Sequence, residues 1–384
     1  MSTPTTGSTA TVGTPEEVLK NRVKDAIKAE MLRHAAQPAP AATPSGAGLP
    51  EADAGPVKGF KAAELKKGQV WFSELVKVKR DDLPKGVEDF PVTVLKLADL
   101  PAEVQQFVPT YDKNYVMQLD AAAAIAFAIE HGERILATGP TGSGKSSMIK
   151  NLHALMCRPM IRVNMTADME SSVLFGSLMV EGGATVWKDG PVTEACRHGA
   201  TICIDEWDVT PPEILFGLQW LFEEDGRLYL KEKPGTSKDK FITPHENFRI
   251  VCLGNTIGQG DETGKFAGVN VQNSATIDRF QTTVRLDYLT SDHEREVIKK
   301  ACPALNADFI KKMVQLAQLV RSAYDQGNIN LTMSPRTLVN WGRKTTQHGK
   351  SERALRLAFA NKLRDNDARV LDEMHNKVFG TSFR

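Results

Sequence analysis

Hydrophobic and polar positions divide the chain into segments of different periodicity. Between residues 113 and 287, short apolar runs alternate with longer segments of helical spacing, which is typical of a parallel sheet with helical crossovers. The predicted strands are RILAT (134–138), MIRVN (160–164), TICID (201–205) and RIVCLGN (249–255). The helix after the first strand carries Met148, Ile149, Leu152 and Leu155 on its buried side.

The strand pattern stops near residue 288. The segment that follows has only helical spacing, as in FIKKMVQLAQLV and ALRLAFANKL. We therefore predict an α/β fold with a core over 113–287, a parallel sheet with flanking helices, followed by a small all-helical lid over 288–384.

The first 112 residues have a different composition. Residues 1–57 include Thr/Ser/Gly-rich and Ala/Pro/Gly-rich stretches, which predict a disordered tether. Within it, a Thr-Pro-Glu-Glu start at Thr14 and apolar residues every fourth position predict a short amphipathic helix over about 15–35. Residues 58–112 mix charged turns with apolar runs, and we predict a small N-terminal accessory module there.

Charge and hydropathy exclude several classes of protein. The 384 residues include 48 Lys and Arg against 47 Asp and Glu, a net charge of +1, so no global field attracts nucleic acid or membrane. No apolar run approaches the ~18 residues of a membrane span. The N-terminal sequence lacks the basic and apolar regions of a secretory signal. We predict a cytoplasmic protein without a membrane partner.

Cysteine and histidine do not form a metal-binding pattern. The five cysteines include no C-x-x-C pair, which indicates reduced thiols rather than disulfides or a zinc site. His153 and Cys157 could share a helix face, but two ligands do not make a site.

The segment GPTGSGKS, residues 139–146, fits the pattern G-x-x-x-x-G-K-[ST] between a predicted strand and a predicted helix. Gly142 and Gly144 let the backbone turn so that its N–H groups face a β-phosphate. Lys145 places a positive charge between the β- and γ-phosphates, and Ser146 supplies a hydroxyl to Mg²⁺. The predicted nucleotide-binding residues are Gly139, Pro140, Thr141, Gly142, Ser143, Gly144, Lys145, Ser146, Ser147 and Asp205.

Two adjacent carboxylates end the strand in ICIDEWD. Asp205 is predicted to hold Mg²⁺ together with Ser146, and Glu206 to polarise the attacking water as general base. A guanine-binding N-K-x-D segment is missing, since the nearest candidate, residues 361–364, ends in Arg. The predicted cofactors are therefore ATP and Mg²⁺.

Three further residues complete the predicted catalytic set. Asn255 follows a buried strand, where its amide can orient water against the γ-phosphate. Arg279 in TIDRF and Arg336 in SPRTL lie near predicted helix ends, from which a guanidinium can neutralise a phosphoryl transition state. Each arginine could instead form an ordinary surface salt bridge.

The series GPTGSGKS, ICIDEWD, LGN, IDRF and SPRTL resembles the AAA+ ATPases of the MoxR branch. Within that branch the chain is most similar to the CobS-like ATPases of aerobic cobaltochelatase. The stretches VPTYDKNYVM (108–117), RVNMTADMESSVLFG (162–176) and NTIGQGDETGKFAGVNVQNSATIDRF (255–280) carry this closer resemblance. It covers roughly 105–300 well and the first 100 residues hardly at all.

The resemblance implies a P-loop AAA+ core and a homo-oligomeric ring, a hexamer with ATP sites between subunits. Arg279 would then be a finger that enters the neighbour's site, Arg336 the lid sensor, and residues 178–190 a hairpin that lines the pore. It also implies a partner with a von Willebrand factor A domain and a separate large chelatase subunit. Remodelling of a partner complex is the predicted function, and metal insertion is one output of it.

Two functions of other classes stay open. Eight Lys and Arg against one acid between Arg336 and Arg364 could follow a phosphate backbone, as in a nucleic-acid motor, although the segment has no regular alternation of basic and aromatic residues that would suggest stacked bases. A catalytically quiet binding scaffold is the other alternative, and the set Lys145, Asp205, Glu206 and Asn255 argues against it.

Overall fold

The computed structural model describes residues 65–223, 225–260 and 268–384. One compact unit ends at Tyr288, and Leu289–Arg384 belongs to a second. The predicted tether over 1–57 and its amphipathic helix lie outside the described residues.

The first unit contains all the described strands. They are β1 (Gln69–Trp71), β2 (Pro91–Thr93), β3 (Ile135–Thr138), β4 (Met160–Asn164), β5 (Gly176–Glu181), β6 (Ala184–Asp189), β7 (Thr201–Asp205), β8 (Leu228–Tyr229), β9 (Phe241–Ile242), β10 (Arg249–Gly254) and β11 (Thr282–Arg285).

Nine described α-helices accompany these strands in the first unit. They are α1 (Phe72–Val76), α2 (Ala102–Gln105), α3 (Leu119–His131), α4 (Lys145–Leu155), α5 (Ser171–Phe175), α6 (Pro191–His198), α7 (Pro212–Leu218), α8 (Ser237–Lys240) and α9 (Ser274–Ile277).

Five of the strands form a parallel sheet in the order β11-β3-β10-β7-β4. Because all five run in one direction, their carboxyl ends meet at one edge, where ligands bind in open α/β sheets. Strand β10 lies between β3 and β7, so the residues that follow these three strands are neighbours. The predicted fold class, a parallel sheet with flanking helices, is confirmed.

Alternate residues of the central strands face opposite sides of the sheet. Ile202 and Ile204 of β7 belong to the same hydrophobic cluster as residues of α6 and α7, whereas Cys203 belongs to the cluster of α3 and α4. Both faces of the sheet are therefore covered, which explains why the strands are nearly continuous apolar runs.

Residues of the predicted accessory module contribute to the same core. Phe72, Leu75 and Val92 are buried in the hydrophobic cluster that contains α3 and α4. Glu130 of α3 accepts hydrogen bonds from Thr93 N at 2.8 Å and Thr93 Oγ1 at 2.6 Å, which attaches strand β2 to that helix.

Strands β5 and β6 form an antiparallel hairpin, with Glu181 opposite Ala184 at its turn. This hairpin overlaps residues 178–190, the segment for which the resemblance implies a hairpin. Its side chains Leu178, Met179 and Val180 are exposed, and Val180 retains 76% of its accessible surface. The hairpin therefore leaves the apolar side chains of its first strand exposed.

The second unit is helical, as predicted. Its helices are α10 (Ser291–Ala301), α11 (Ala307–Asp325), α12 (Pro335–His348), α13 (Ser351–Ala358) and α14 (Asp365–Phe379). Leu338 and Trp341 of α12 are fully buried in the hydrophobic core cluster of these helices. Glu294 and Arg321 form a buried ion pair at 2.6 Å between α10 and α11.

Candidate nucleotide-binding site

The glycine-rich segment forms the loop between β3 and α4. Gly142 and Gly144 have positive φ angles of 78° and 98°, in the left-handed region that favours glycine. This conformation places the loop at the first turn of α4, where backbone N–H groups have no helical partner. Ser143 Oγ is buried and has no hydrogen-bond partner in the described part of the chain. A loop of this shape fits a polyphosphate.

Lys145 is the first residue of α4, and only 8% of its surface is accessible. Its Nζ donates hydrogen bonds to Gly139 O at 2.6 Å, to Pro140 O at 3.2 Å and to Asn255 Oδ1 at 3.1 Å. The ammonium group therefore lies inside the loop, where its charge is available to a phosphate.

The carboxylate of Asp205 lies beside the hydroxyl of Ser146. Asp205 ends strand β7, and its Oδ2 accepts a hydrogen bond from Ser146 Oγ at 3.0 Å. A hydroxyl and a carboxylate oxygen are ligands that Mg²⁺ accepts, and Mg²⁺ in nucleotide sites needs only one or two protein ligands beside phosphate and water. No group of three or more His, Cys, Asp or Glu that could hold a metal ion occurs among the described residues. The donor set fits Mg²⁺ bound together with a nucleotide.

Glu206 follows Asp205 in an unusual backbone conformation. Its φ and ψ angles are 58° and 41°, a left-handed conformation that costs a non-glycine residue free energy. Strain of this kind is common at functional sites. Burial raises the pKa of the Glu206 carboxyl, the charges of Asp208 and Asp205 raise it further, and Lys145 opposes them. A raised pKa brings a carboxylate closer to the pH at which a general base works best.

Asn255 connects the lysine of the phosphate-binding loop to the carboxylate of Glu206. It follows β10, and its Nδ2 donates a hydrogen bond to Glu206 Oε2 at 3.1 Å, while its Oδ1 accepts from Lys145. The strand order β3-β10-β7 explains this arrangement, because Asn255 lies between the loop after β3 and the carboxylates after β7. The structure thus brings together Lys145, Ser146, Asp205, Glu206 and Asn255.

Arg279 lies at the opposite edge of the sheet. It precedes β11, whose first residue, Thr282, pairs with Ile135, the first residue of β3. The glycine-rich loop follows the last residue of β3, so the length of a strand separates it from Arg279. The guanidinium donates to Ala275 O at 2.7 Å and to Glu223 Oε1 at 3.4 Å. The structure does not bring Arg279 to the site of its own chain.

Arg336 belongs to the second unit. It is the second residue of α12, and its side chain is exposed. Ser334 precedes the helix and caps it, because its Oγ accepts from Thr337 N at 3.3 Å. The segment SPRTL is therefore a capped helix start, with the arginine in the first turn.

The structure adds two residues to the site that the sequence did not predict there. Asp208 is fully buried, and its Oδ2 accepts hydrogen bonds from Asn255 N at 2.9 Å, Thr256 N at 2.8 Å and Thr256 Oγ1 at 3.0 Å. Arg162 of β4 forms an ion pair with Asp205. The motif ICIDEWD contains Asp208, but the partner of its side chain follows only from the strand order.

His153 and Cys157 do not form a metal site. His153 is buried, and its ring nitrogens contact Ile149 O and Thr201 Oγ1, both at 2.8 Å. Burial lowers the pKa of His153 to about 4, so the ring stays neutral and structural. All five cysteines are unbonded thiols, four of them buried, and burial raises the pKa of Cys196 and of Cys203 to about 12.

Two family models match the chain. The AAA domain of the dynein-related subfamily matches residues 134–280, which include the site described above. The C-terminal region of CbbQ, NirQ and NorQ matches residues 294–378 in the helical unit. Within the described ranges, every helix is too short or too polar to cross a lipid bilayer.

Individual relatives agree with these models. The aerobic cobaltochelatase subunit CobS of a Sinorhizobium species is 30% identical over 286 residues, which cover 72% of this chain and 85% of CobS. An uncharacterized protein of Staphylococcus haemolyticus is 27% identical over 239 residues, 61% of this chain and 85% of that protein. A mutant of Thermotoga maritima RuvB overlaps at 13% identity with a TM-score of 0.41, over 72% of this chain and 74% of RuvB, too low to support a closer relationship.

The chain therefore belongs to the MoxR-like AAA+ ATPases. Within that group it is of the CbbQ and CobS type. The predicted family is confirmed, and membership implies that the chain binds a nucleotide at the loop that contains Lys145.

Proposed function

We propose that this chain hydrolyses ATP with Mg²⁺ in a homo-oligomeric ring, a hexamer, and uses the energy to remodel or activate a partner protein complex. The observation that carries this proposal is the division of the predicted catalytic residues between two edges of one sheet. Lys145, Glu206 and Asn255 are hydrogen-bonded at the carboxyl edge, and Arg279 lies at the amino edge.

The carboxyl edge supplies the groups that bind and hydrolyse a nucleotide. Lys145 would neutralise the β- and γ-phosphates, and Ser146 and Asp205 would hold Mg²⁺, which contributes charge neutralisation when bound. Glu206 would accept a proton from water, and its hydrogen bond to Asn255 orients the carboxylate for that task. The amide of Asn255 would also orient the water against the γ-phosphate.

The amino edge supplies a group to a second subunit. Arg279 is separated from the phosphate loop of its own chain by a strand, so it would act on the site of a neighbour, as the arginine fingers of ATPases do. An active site then needs two chains, which explains why the function would require a ring. Arg336 would act as the lid sensor, by the resemblance of SPRTL to the family motif.

The hairpin β5–β6 is the element through which the ring would act on a target. Leu178, Met179 and Val180 are exposed apolar side chains on its first strand. Covering this exposed apolar surface with a partner is favourable in free energy. The hairpin would line the central pore of the ring and contact the remodelled protein.

The relationship to CobS supports a proposal about the partner. CobS is named as a subunit of aerobic cobaltochelatase. By the resemblance of its motifs to the CobS-like ATPases, this chain would act on a complex that includes a protein with a von Willebrand factor A domain. Activation of a large metal-inserting subunit is one output of this arrangement. We propose a cytoplasmic location.

A nucleic-acid motor is the second candidate. The observation that favours it is the exposure of Arg336, Arg343, Lys350, Arg353 and Arg356 on or beside helices α12 and α13. Binding to duplex DNA that weakens steeply with added salt would support this alternative. A failure to bind DNA at low salt would exclude the nucleic-acid motor.

The proposal is tested by nucleotide binding and phosphate release with wild-type protein and Lys145→Ala. Loss of one charge-assisted contact lowers affinity roughly 10- to 100-fold, so the variant should neither bind ATP tightly nor release phosphate. Lys150→Ala is the matched control, because Lys150 lies on the same helix but is exposed. Equal ATP affinity in Lys145→Ala and the wild type would contradict the assignment of this site.

A further inference from the structure

Asp205 has a second partner that the phosphate-binding motifs do not account for. Arg162 lies on β4, the edge strand beside β7, where it is opposite Cys203. Its guanidinium forms an ion pair with Asp205 Oδ2, the same oxygen that accepts the hydrogen bond from Ser146 Oγ at 3.0 Å. The other oxygen, Asp205 Oδ1, accepts from Glu206 N at 3.1 Å.

A carboxylate oxygen offers about two lone-pair directions. At Oδ2 one of them is used by the Ser146 hydroxyl and the other by the Arg162 guanidinium. A Mg²⁺ ion held by Ser146 and Asp205, directly or through a bound water, needs one of these directions. It also adds two positive charges beside a guanidinium, which disfavours simultaneous occupancy.

We propose that Arg162 and Mg²⁺ compete for Asp205, so that Arg162 sets the Mg²⁺ concentration at which the nucleotide site takes up its metal. This inference rests on the proposed function, because it assumes that the site binds a nucleotide with a divalent cation. It gives Arg162 an effect on metal binding that acts through Asp205, as a competitor of the metal.

The accessibility of the pair supports exchange. Half of the Arg162 side chain is exposed, whereas Asp205 retains only 7% of its side-chain surface. The guanidinium can therefore move into water without losing its hydration, while the carboxylate stays at the site. The buried pair of Arg321 and Glu294 differs, because its side chains are 12% and 1% exposed and separating them would leave a buried charge without its counter-ion.

A fixed positioning role for Arg162 makes the opposite prediction. If the guanidinium only holds Asp205 in the orientation that Mg²⁺ requires, its removal would weaken metal binding. Competition predicts that its removal strengthens metal binding. The sign of one change therefore separates the two roles.

The test is a Mg²⁺ titration of the binding of a fluorescent ADP analogue, with wild-type protein, Arg162→Gln and Arg162→Lys. Arg162→Gln should lower the Mg²⁺ concentration at half-maximal binding roughly fivefold, the range expected for a partly exposed ion pair. Arg162→Lys keeps the charge and should lie nearer the wild type. Arg197→Gln is the matched control. Arg197 forms an ion pair with Asp189 at 2.6 Å, and neither residue belongs to the nucleotide site.

A second measurement does not depend on the fluorescent probe. In the absence of Mg²⁺, the Arg162→Gln substitution removes the guanidinium that pairs with the Asp205 carboxylate. The melting temperature of the variant should therefore be lower than that of the wild type. Addition of Mg²⁺ and ADP should raise that temperature by more than in the wild type.

An unchanged or higher Mg²⁺ requirement in Arg162→Gln would overturn the inference while leaving the proposed function intact. Failure of the wild type to bind the nucleotide would overturn the proposed function, and the inference with it.

Discussion

The two edges of the central sheet differ in how completely their charged residues are held within one chain. At the carboxyl edge, Lys145 and Asp205 are only 8% and 5% accessible, and each makes several hydrogen bonds. At the amino edge, 28% of the Arg279 side chain is exposed, and its acidic partner, Glu223, is 58% exposed. Exposed pairs of this kind contribute little stability.

This difference indicates a division of labour. The carboxyl edge is organised in advance, with side chains already at the positions that a phosphate, a metal and a water require. Arg279 is held loosely enough to exchange Glu223 for another anion. We therefore expect the carboxyl edge to determine nucleotide binding and water activation, and the amino edge to determine whether a neighbouring site is complete.

The largest effect should come from Arg279→Ala. ATP binding should be retained, whereas turnover should fall by ~10³–10⁵, the range attributed to arginine fingers. Steady-state phosphate release and equilibrium ATP binding measure the two quantities separately. Arg285→Ala is the matched control, because Arg285 is the last residue of β11 and its ion pair with Asp287 is exposed. Near-wild-type turnover in Arg279→Ala would make Arg279 a structural residue.

The next largest effect should come from Glu206→Gln. The amide keeps the shape of the side chain and a hydrogen-bonding oxygen, so Mg·ATP should still bind. Turnover should fall by ~10²–10⁴, because only the general base is lost. The rate of hydrolysis is compared in a single-turnover measurement. Glu213→Gln is the control, because Glu213 is an exposed acid on α7. Hydrolysis at the wild-type rate would exclude Glu206 as the base.

A smaller effect concerns pH. Burial and then the charges of Asp208 and Asp205 raise the pKa of Glu206. A general base must be deprotonated, so activity should be lost as pH falls through a value above the usual ~4.3 of a glutamate. Asp208→Asn removes one of the charges but keeps an oxygen that accepts from Thr256, so the acidic limb of kcat should move to lower pH.

The measurement is kcat as a function of pH for the wild type and Asp208→Asn. Asp208→Ala, which also loses the acceptor for the backbone of Asn255, should have lower turnover than Asp208→Asn at every pH. An acidic limb that does not move, or that moves to higher pH, would show that Asp208 does not influence the base.

Local patterns in the sequence located most of the core elements. MIRVN and TICID were predicted with the bounds that β4 and β7 have, because each is a short apolar run that ends at a polar residue. Strand β11 was not predicted, since TTVR is only four residues long and three of them are polar or charged. Its apolar residue, Val284, is the one that reaches the core.

Contacts between residues of different strands could not be predicted from the sequence. The bond between Asn255 and Glu206 and the pair of Arg162 with Asp205 depend on strand order and register, which local periodicity does not specify. The same holds for Arg279. Its motif predicted a charged helix end, but its position at the edge opposite the phosphate loop follows from the parallel pairing of β11 with β3.

The most direct test of the shared site mixes two inactive variants, Arg279→Ala and Glu206→Gln. In a mixed ring, some interfaces would combine an intact Arg279 with an intact Glu206 from the neighbouring chain. The account predicts that part of the phosphate release returns on mixing, and that wild-type activity rises more steeply than linearly with protein concentration. If the variants co-assemble, as shown by co-purification of differently tagged chains, and no activity returns, Arg279 does not complete a neighbour's site.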